Sequence, residues 1–323
     1  MAQNFAELGR VEAIRQLFEG TGFEPFGEPL WLTAGQQECI TTASGLMSEG
    51  VDFDLVYFPL PHLGRKAVLK VTGELYAVMA QPESLSIQLG VSAKLDFPHI
   101  KEIWTGIVSA AKDHGYRSLS LELQPSKNGL TIALAATGRH SAAVSAARPK
   151  AQSKDLVCVS GPLGAAYLGL QALQREKSNF DKGTHNREAL ERYKMLVAAY
   201  LKPELEPVSL AASYGYFVTH GLADALLRLQ RDSGFGVKVY ADKIPFEGGS
   251  FDLGKELNLD PVSAAMNGGE DYHLLFVVPL AQFEQFRKDF QTFDIIGHLA
   301  QPEVGAVLVT PEGVELPIKA QGW

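Results

Sequence analysis

Met266-Asn267-Gly268-Gly269-Glu270-Asp271-Tyr272-His273-Leu274-Leu275-Phe276 sets two glycines, two carboxylates and a phenol ahead of an apolar run. Gly-Gly after Asn is the composition of a tight turn that reaches φ > 0, and His273 to Val278 has the character of a buried strand. Such a turn holds Glu270 and Asp271 where the strand leaves the core, a common position for ligand contacts. A solvated turn with no ligand fits the same residues.

Working outward, the 323 residues suit two domains of ordinary size, each able to bury its own core. Charged residues make up 20% and the net charge is -8, with no basic run of the kind that binds nucleic acid. Cys39 and Cys158 are isolated, which indicates neither a disulfide framework nor a thiolate metal site. Met1 to Glu19 mixes apolar and charged residues without the apolar core of a signal peptide, and no stretch is long and apolar enough to span a bilayer. The expectation is a soluble cytoplasmic protein.

In the N-terminal half, Ala67 to Val71 and Leu85 to Val91 read as buried strands, with a short helical piece around Leu75 to Met79. Ile100, Ile103, Trp104, Ile107, Val108 and Ala111 form one face of a helix that ends near Gly115. Ser118 to Leu123 alternates Ser or Glu with Leu, the pattern of a half-buried strand. Leu130 to Ala136 reads as its hairpin partner across Ser126-Lys127-Asn128-Gly129. Ala142 to Lys154 is rich in Ala, Ser, Lys and Pro, and the seam falls there, giving domains 1–145 and 146–323. The second half opens with a strand at Leu156 to Ser160, a tight turn at Gly161-Pro162-Leu163-Gly164, and a helix from Ala165 through Leu173. Helices follow at Arg187 to Leu201 and Thr219 to Arg231, with strands at Val237 to Tyr240, His273 to Val278, Ile295-Ile296 and Ala306 to Val309. The class is α+β. His62, His99, His114, His140, His185 and His298 have no ligand-like spacing.

Gly268 to Leu275 resembles the GGEDYELL motif of the thiamine-monophosphate kinases. Glu49-Gly50-Val51-Asp52-Phe53 is similar to that family's EGVHF segment, Pro61 to Ala67 to its PxxLGxKA stretch, and Val159 to Gly164 to the turn before its first C-terminal helix. His220-Gly221-Leu222 falls at the end of its DISDGL, and Ile295 to His298 and Gln321-Gly322-Trp323 also fall in order. The resemblance covers nearly the whole chain. It implies the two-domain fold of aminoimidazole-ribonucleotide synthetase and the selenophosphate synthetases, with N-terminal sheets paired in a dimer and an active site between domains. It also implies transfer of the γ-phosphoryl of ATP to thiamine monophosphate. In such chemistry Mg²⁺ bridges the phosphates through octahedral oxygen ligands at about 2.0–2.1 Å, supplied largely by aspartates.

Several of those aspartates are replaced. The family's GDD aligns with Gly27-Glu28-Pro29, the aspartate of its TTD with Gly45, that of SDLAAMG with Glu74, and its GGD with Ser120-Leu121-Glu122. The two aspartates of DISDGL fall at Phe217 and His220. The resemblance thus leaves Glu28, Glu74, Glu122 and His220 as residual metal positions. A glutamate reaches about 1.5 Å further than an aspartate, phenylalanine binds no metal, and imidazole suits softer ions than Mg²⁺. The nucleotide side would be Leu121, Glu122, Arg148 and Thr219. The substrate side would be Asp52, which stands in for a histidine and would repel a phosphate, together with Gly268, Gly269, Glu270, Asp271 and the aromatic Trp323. The expectation is a divergent, catalytically impaired relative that binds a thiamine phosphate or similar small molecule as a homodimer or beside an active paralogue. A working kinase with a rearranged glutamate site, a non-catalytic regulatory subunit and an enzyme of changed substrate are the other readings.

Overall fold

The computed structural model describes residues 38–184, 187–207, 212–284 and 293–320, with residues 12, 15, 16, 19, 30, 31 and 288 besides. They fall into two compact units, one drawn from Glu28–Ala146 with Leu201–Ser209, the other from Met1–Gly27, Ala147–Tyr200 and Leu210–Trp323. No helix among the described residues is long and apolar enough to cross a membrane.

The first unit is a five-stranded sheet with two helices. Its elements are β1 (Leu30–Trp31), β2 (Glu38–Ser48), α1 (Leu60–Ala77), β3 (Gln81–Ser92), α2 (Phe97–Asp113), β4 (Ser118–Ser126), β5 (Thr131–Ser141) and the short α3 (Ala142–Ala146), with strand order β1-β2-β5-β3-β4. The run expected as a strand at Ala67 to Val71 is the middle of α1. Leu63, Ala67, Val68, Leu69, Val71 and Leu75 are all fully buried, and so are Lys66 and Thr72, so this helix is buried nearly all round. A short apolar run buried on every side has no period that separates helix from strand. The second helix forms where the spacing predicts it. Asp96 accepts from the His99 amide at 3.2 Å while its own amide donates to His99 Nδ1 at 3.3 Å, which closes the first turn.

The expected hairpin between β4 and β5 is absent. β4 pairs parallel to β3, from Ser84↔Ser118 to Ser92↔Ser126, and β5 pairs antiparallel on the other side of β3. The turn at residues 127–130 therefore passes over the end of β3 instead of joining neighbours. The helix between β3 and β4 supplies the crossover that a parallel pair needs. β4 is also not half-buried: as an edge strand it leaves Leu119, Leu121 and Leu123 at 36%, 40% and 51% exposure.

The second unit is a seven-stranded mixed sheet in the order β12-β11-β8-β10-β6-β9-β7. In chain order it contains β6 (Leu156–Val159), α4 (Ala165–Asp181), α5 (Arg187–Arg192), α6 (Lys194–Leu201), β7 (Tyr214–Val218), α7 (Leu222–Ser233) and β8 (Gly236–Tyr240). Then follow α8 (Ser250–Leu257), α9 (Pro261–Asn267), β9 (His273–Val278), β10 (Asp294–Ala300), β11 (Ala306–Val309) and β12 (Glu315–Pro317). β6 and β9 lie inside the sheet and are apolar on both faces. The helix expected over Arg187 to Leu201 is broken at Tyr193, whose buried ring sends its hydroxyl to Glu256 at 2.6 Å.

α1 and α2 cross at two glycines. A Cβ on Gly64 would stand 2.1 Å from the Ile103 carbonyl oxygen, and one on Gly106 would stand 1.9 Å from that of Pro61. The opposing atoms are backbone and cannot rotate aside. Gly106→Ala should therefore destabilise the protein by about 3 kcal/mol, at the top of the range for overpacking, while Gly115→Ala, in open space but at positive φ, should cost only about 1 kcal/mol. Urea unfolding of the two variants checks the contrast.

Candidate functional site

The turn between α9 and β9 is built from unusual backbone. Gly268 ends α9 with helical φ of -69°, while Gly269, Glu270 and Tyr272 hold φ of 75°, 63° and 56°. The left-handed positions are thus one glycine and two residues with large side chains, instead of the glycine pair that the sequence suggests. Each such non-glycine residue stores of order 1–3 kcal/mol of strain. Gly269 is there by necessity, since a Cβ would meet the Thr219 carbonyl oxygen at 2.8 Å.

Three hydrogen-bond systems hold the strained turn. The Glu270 amide donates to the Thr219 carbonyl at 2.9 Å and the Tyr272 amide to that of Val218 at 3.2 Å, which extends the β7–β9 ladder around the corner. Asp271 turns inward, 6% exposed, and accepts from the amides of Gly164 at 2.9 Å and Ala166 at 3.3 Å. It caps the first turn of α4 from a distant part of the chain, with its negative charge at the positive end of the helix. The third system is Ser160, whose hydroxyl accepts from the Leu274 amide at 2.9 Å and lies 3.4 Å from His273 Nδ1. Burial alone holds the His273 imidazole down to about 4, so it is neutral at ordinary pH.

Thr219, His220, Gly268, Gly269, Glu270 and Asp271 therefore come together at one end of the second unit's sheet. Thr219 is buried and shares a hydrogen bond of 2.9 Å with Nδ1 of the exposed His220. Phe217 is on β7, with its ring 5.3 Å from that of Tyr272 at 83°, and both rings are shut off from water. Arg148 is half-buried between α3 and β6. In the first unit, Leu121 and Glu122 are exposed on the edge strand β4 and Glu74 is half-buried on α1. Asp52 follows β2, accepts from the Ser48 amide at 2.8 Å, and receives Lys70 Nζ at 3.2 Å. Its charge is met within the chain, which corrects the expectation that it stands ready to repel a phosphate. Glu28 and Trp323 lie outside the described residues.

Sequence reasoning missed Lys70, the α4 amides that engage Asp271, and the pairing of Phe217 with Tyr272. Each joins residues far apart in the chain, and none has a local signal. As for Mg²⁺, the described residues include no group of three or more His, Cys, Asp or Glu placed to hold a metal ion. Gly45 offers no ligand and Phe217 offers an aromatic ring.

No protein-family model matches the chain. The thiamine-monophosphate kinase of Pyrococcus horikoshii is 27% identical over 265 residues, covering 80% of this chain and 78% of that protein. The crystal structure of the Aquifex aeolicus thiamine monophosphate kinase superposes with a TM-score of 0.77 at 21% identity, covering 98% of this chain and 100% of that one; the same enzyme has been solved with AMPPCP and TMP. In sequence and fold this chain is similar to the thiamine-monophosphate kinases. The E. coli hydrogenase maturation protein HypE shares the mixed α/β fold more distantly, at a TM-score of 0.60 and 16% identity over 96% of this chain and 97% of that one. The turn at Gly268 to Tyr272 faces the β7–α7 corner, where Phe217 and His220 stand.

The depressed His273 pKa has a consequence for stability. Between about 4 and 6.5 the unfolded chain binds a proton that the folded chain refuses, so this contribution is present above pH 6.5 and is lost as the pH falls toward 4. At 1.36 kcal/mol per unit the loss approaches about 3 kcal/mol. His273→Asn should flatten the stability-versus-pH curve in that window, which chemical denaturation at a series of pH values will check.

Proposed function

We propose that this chain is a thiamine-monophosphate-kinase-like protein that binds a thiamine phosphate or a related small molecule and is impaired in phosphoryl transfer from ATP. The observation that carries the proposal is the edge-to-face packing of Phe217 on Tyr272, at a position that the resemblance assigns to a carboxylate. Two mutually buried rings are a dry apolar contact, the opposite of what a hard cation requires. The resemblance puts Gly45 and His220 at two further ligand positions, so the described residues do not fit a Mg²⁺ shell. Charge neutralisation supplies most of the acceleration in this chemistry, and side chains alone would have to provide it here.

The ligand-facing turn supports retained binding. Glu270 sits at positive φ in a turn held by Asp271, Thr219 and Val218, and an expensive backbone of this kind persists where its side chain has a use. The complex of the A. aeolicus enzyme with AMPPCP and TMP supports a nucleotide and a thiamine phosphate as the first ligands to try. With ATP and Mg²⁺, the purified protein should convert thiamine monophosphate far below 1 s⁻¹, a rate in the ordinary enzyme range of about 1–1,000 s⁻¹. Turnover of about 1 s⁻¹ would overturn the reading.

Pairing of two copies through the first unit belongs to the same proposal. Among the described residues β4 ends its sheet with an open hydrogen-bonding edge and a row of leucines. Such an edge invites aggregation unless another strand or chain covers it. Sedimentation velocity at micromolar concentration should show a dimer, and Leu121→Lys with Leu123→Lys should shift it to monomer. A wild-type protein that sediments only as monomer would refute the pairing.

A further inference from the structure

The odd-numbered residues of β2 face α1, and Cys39, Ala43 and Met47 are buried in that row. Gly45 belongs to the same row. A Cβ there would stand 3.1 Å from Val71 Cγ1 and 3.6 and 3.7 Å from Lys70 Cγ and Cδ. The stem of Lys70 thus lies over bare backbone at Gly45, and its ammonium ends 3.2 Å from Asp52 Oδ1. The other oxygen of Asp52 accepts from the Ser48 amide. With side chains 11% and 20% exposed, this ion pair is largely withdrawn from water and weakly screened by salt. Glu74 is four residues beyond Lys70 on α1 and so shares its helix face.

We infer that Lys70 is a built-in cation that stands in for a divalent metal in the first unit, and that Gly45 and Asp52 are the two residues that admit it. The inference rests on the proposed reading of the chain as an impaired kinase relative, and it names the device that keeps the metal out. Gly45 is where the resemblance places a metal carboxylate, and the lysine stem runs within van der Waals reach of a Cβ there. An aspartate at 45 would press its Cβ on Val71 Cγ1 at 3.1 Å and bring its carboxylate against the lysine stem. Asp52 supplies the anion that keeps a largely buried ammonium charged and in place. A divalent ion brought beside that ammonium meets like-charge repulsion in a region of reduced dielectric.

The test uses the full chain and Mn²⁺ as the probe, with free Mn²⁺ read by electron paramagnetic resonance. The double variant Gly45→Asp with Lys70→Ala should bind Mn²⁺ at least about tenfold more tightly than wild type, a modest fraction of the repulsion removed. Gly45→Asp alone should stay near wild type because the lysine remains. Equal gains in the single and double variants would overturn the inference, as would a folded double variant with no gain. A second measurement needs no altered backbone. The Lys70 ammonium resonance of ¹⁵N-labelled wild type, assigned by its loss in Lys70→Arg, should be unmoved by millimolar Mg²⁺. A shift or broadening on adding Mg²⁺ would place the ion beside the lysine and overturn the proposal. Turnover by wild type bears on the proposed function alone, whereas metal gain on removing Lys70 bears on the lysine alone, so the two can fail separately.

Discussion

The carboxylate of Asp271, accepting from the Gly164 and Ala166 amides, is the contact on which the second unit's site depends. It joins the strained turn before β9 to the start of α4, more than a hundred residues earlier in the chain. A buried carboxylate is costly unless its oxygens are satisfied, and two amides at the positive end of a helix satisfy both. With that anchor in place, Gly269, Glu270 and Tyr272 can hold left-handed backbone that each would otherwise abandon. The backbone at Glu270 is consequently set by the fold.

Opposite this turn lie an apolar contact and a polar one. Phe217 and Tyr272 meet edge to face in the core, and Thr219 and His220 share a hydrogen bond at the surface. The two contacts differ in kind. An exposed histidine can still accept a proton or a soft metal ion, whereas a buried ring can do neither. A carboxylate at 217 would set a charge in a site that is closed to water and packed against the Tyr272 ring, a large penalty in such surroundings.

The first unit also joins residues far apart in the chain. Its two helices meet backbone to backbone at Gly64 and Gly106. α1 carries Lys70 over Gly45 and brings its ammonium to Asp52. Three residues that look unrelated in the sequence are one ion pair and the backbone it lies over.

The helix over Phe97–Asp113, the strands β6, β9 and β11, and the turn into α4 were legible in the sequence, because each has a local period, a cap or a glycine that acts within a few residues. The kinase-like motif around Gly268 to Leu275 was legible for the same reason: its residues are contiguous. The order of the first sheet was not, since β4 and β5 follow one another in the chain yet lie on opposite sides of β3. Nor was the helical state of Ala67 to Val71, because burial on all sides erases the pattern that distinguishes helix from strand. The inward turn of Asp271, the meeting of Phe217 with Tyr272, and the salt bridge from Lys70 to Asp52 were decided only by tertiary structure. Each joins residues distant in the chain, and such pairings are set by packing between elements, which no local stretch of sequence encodes.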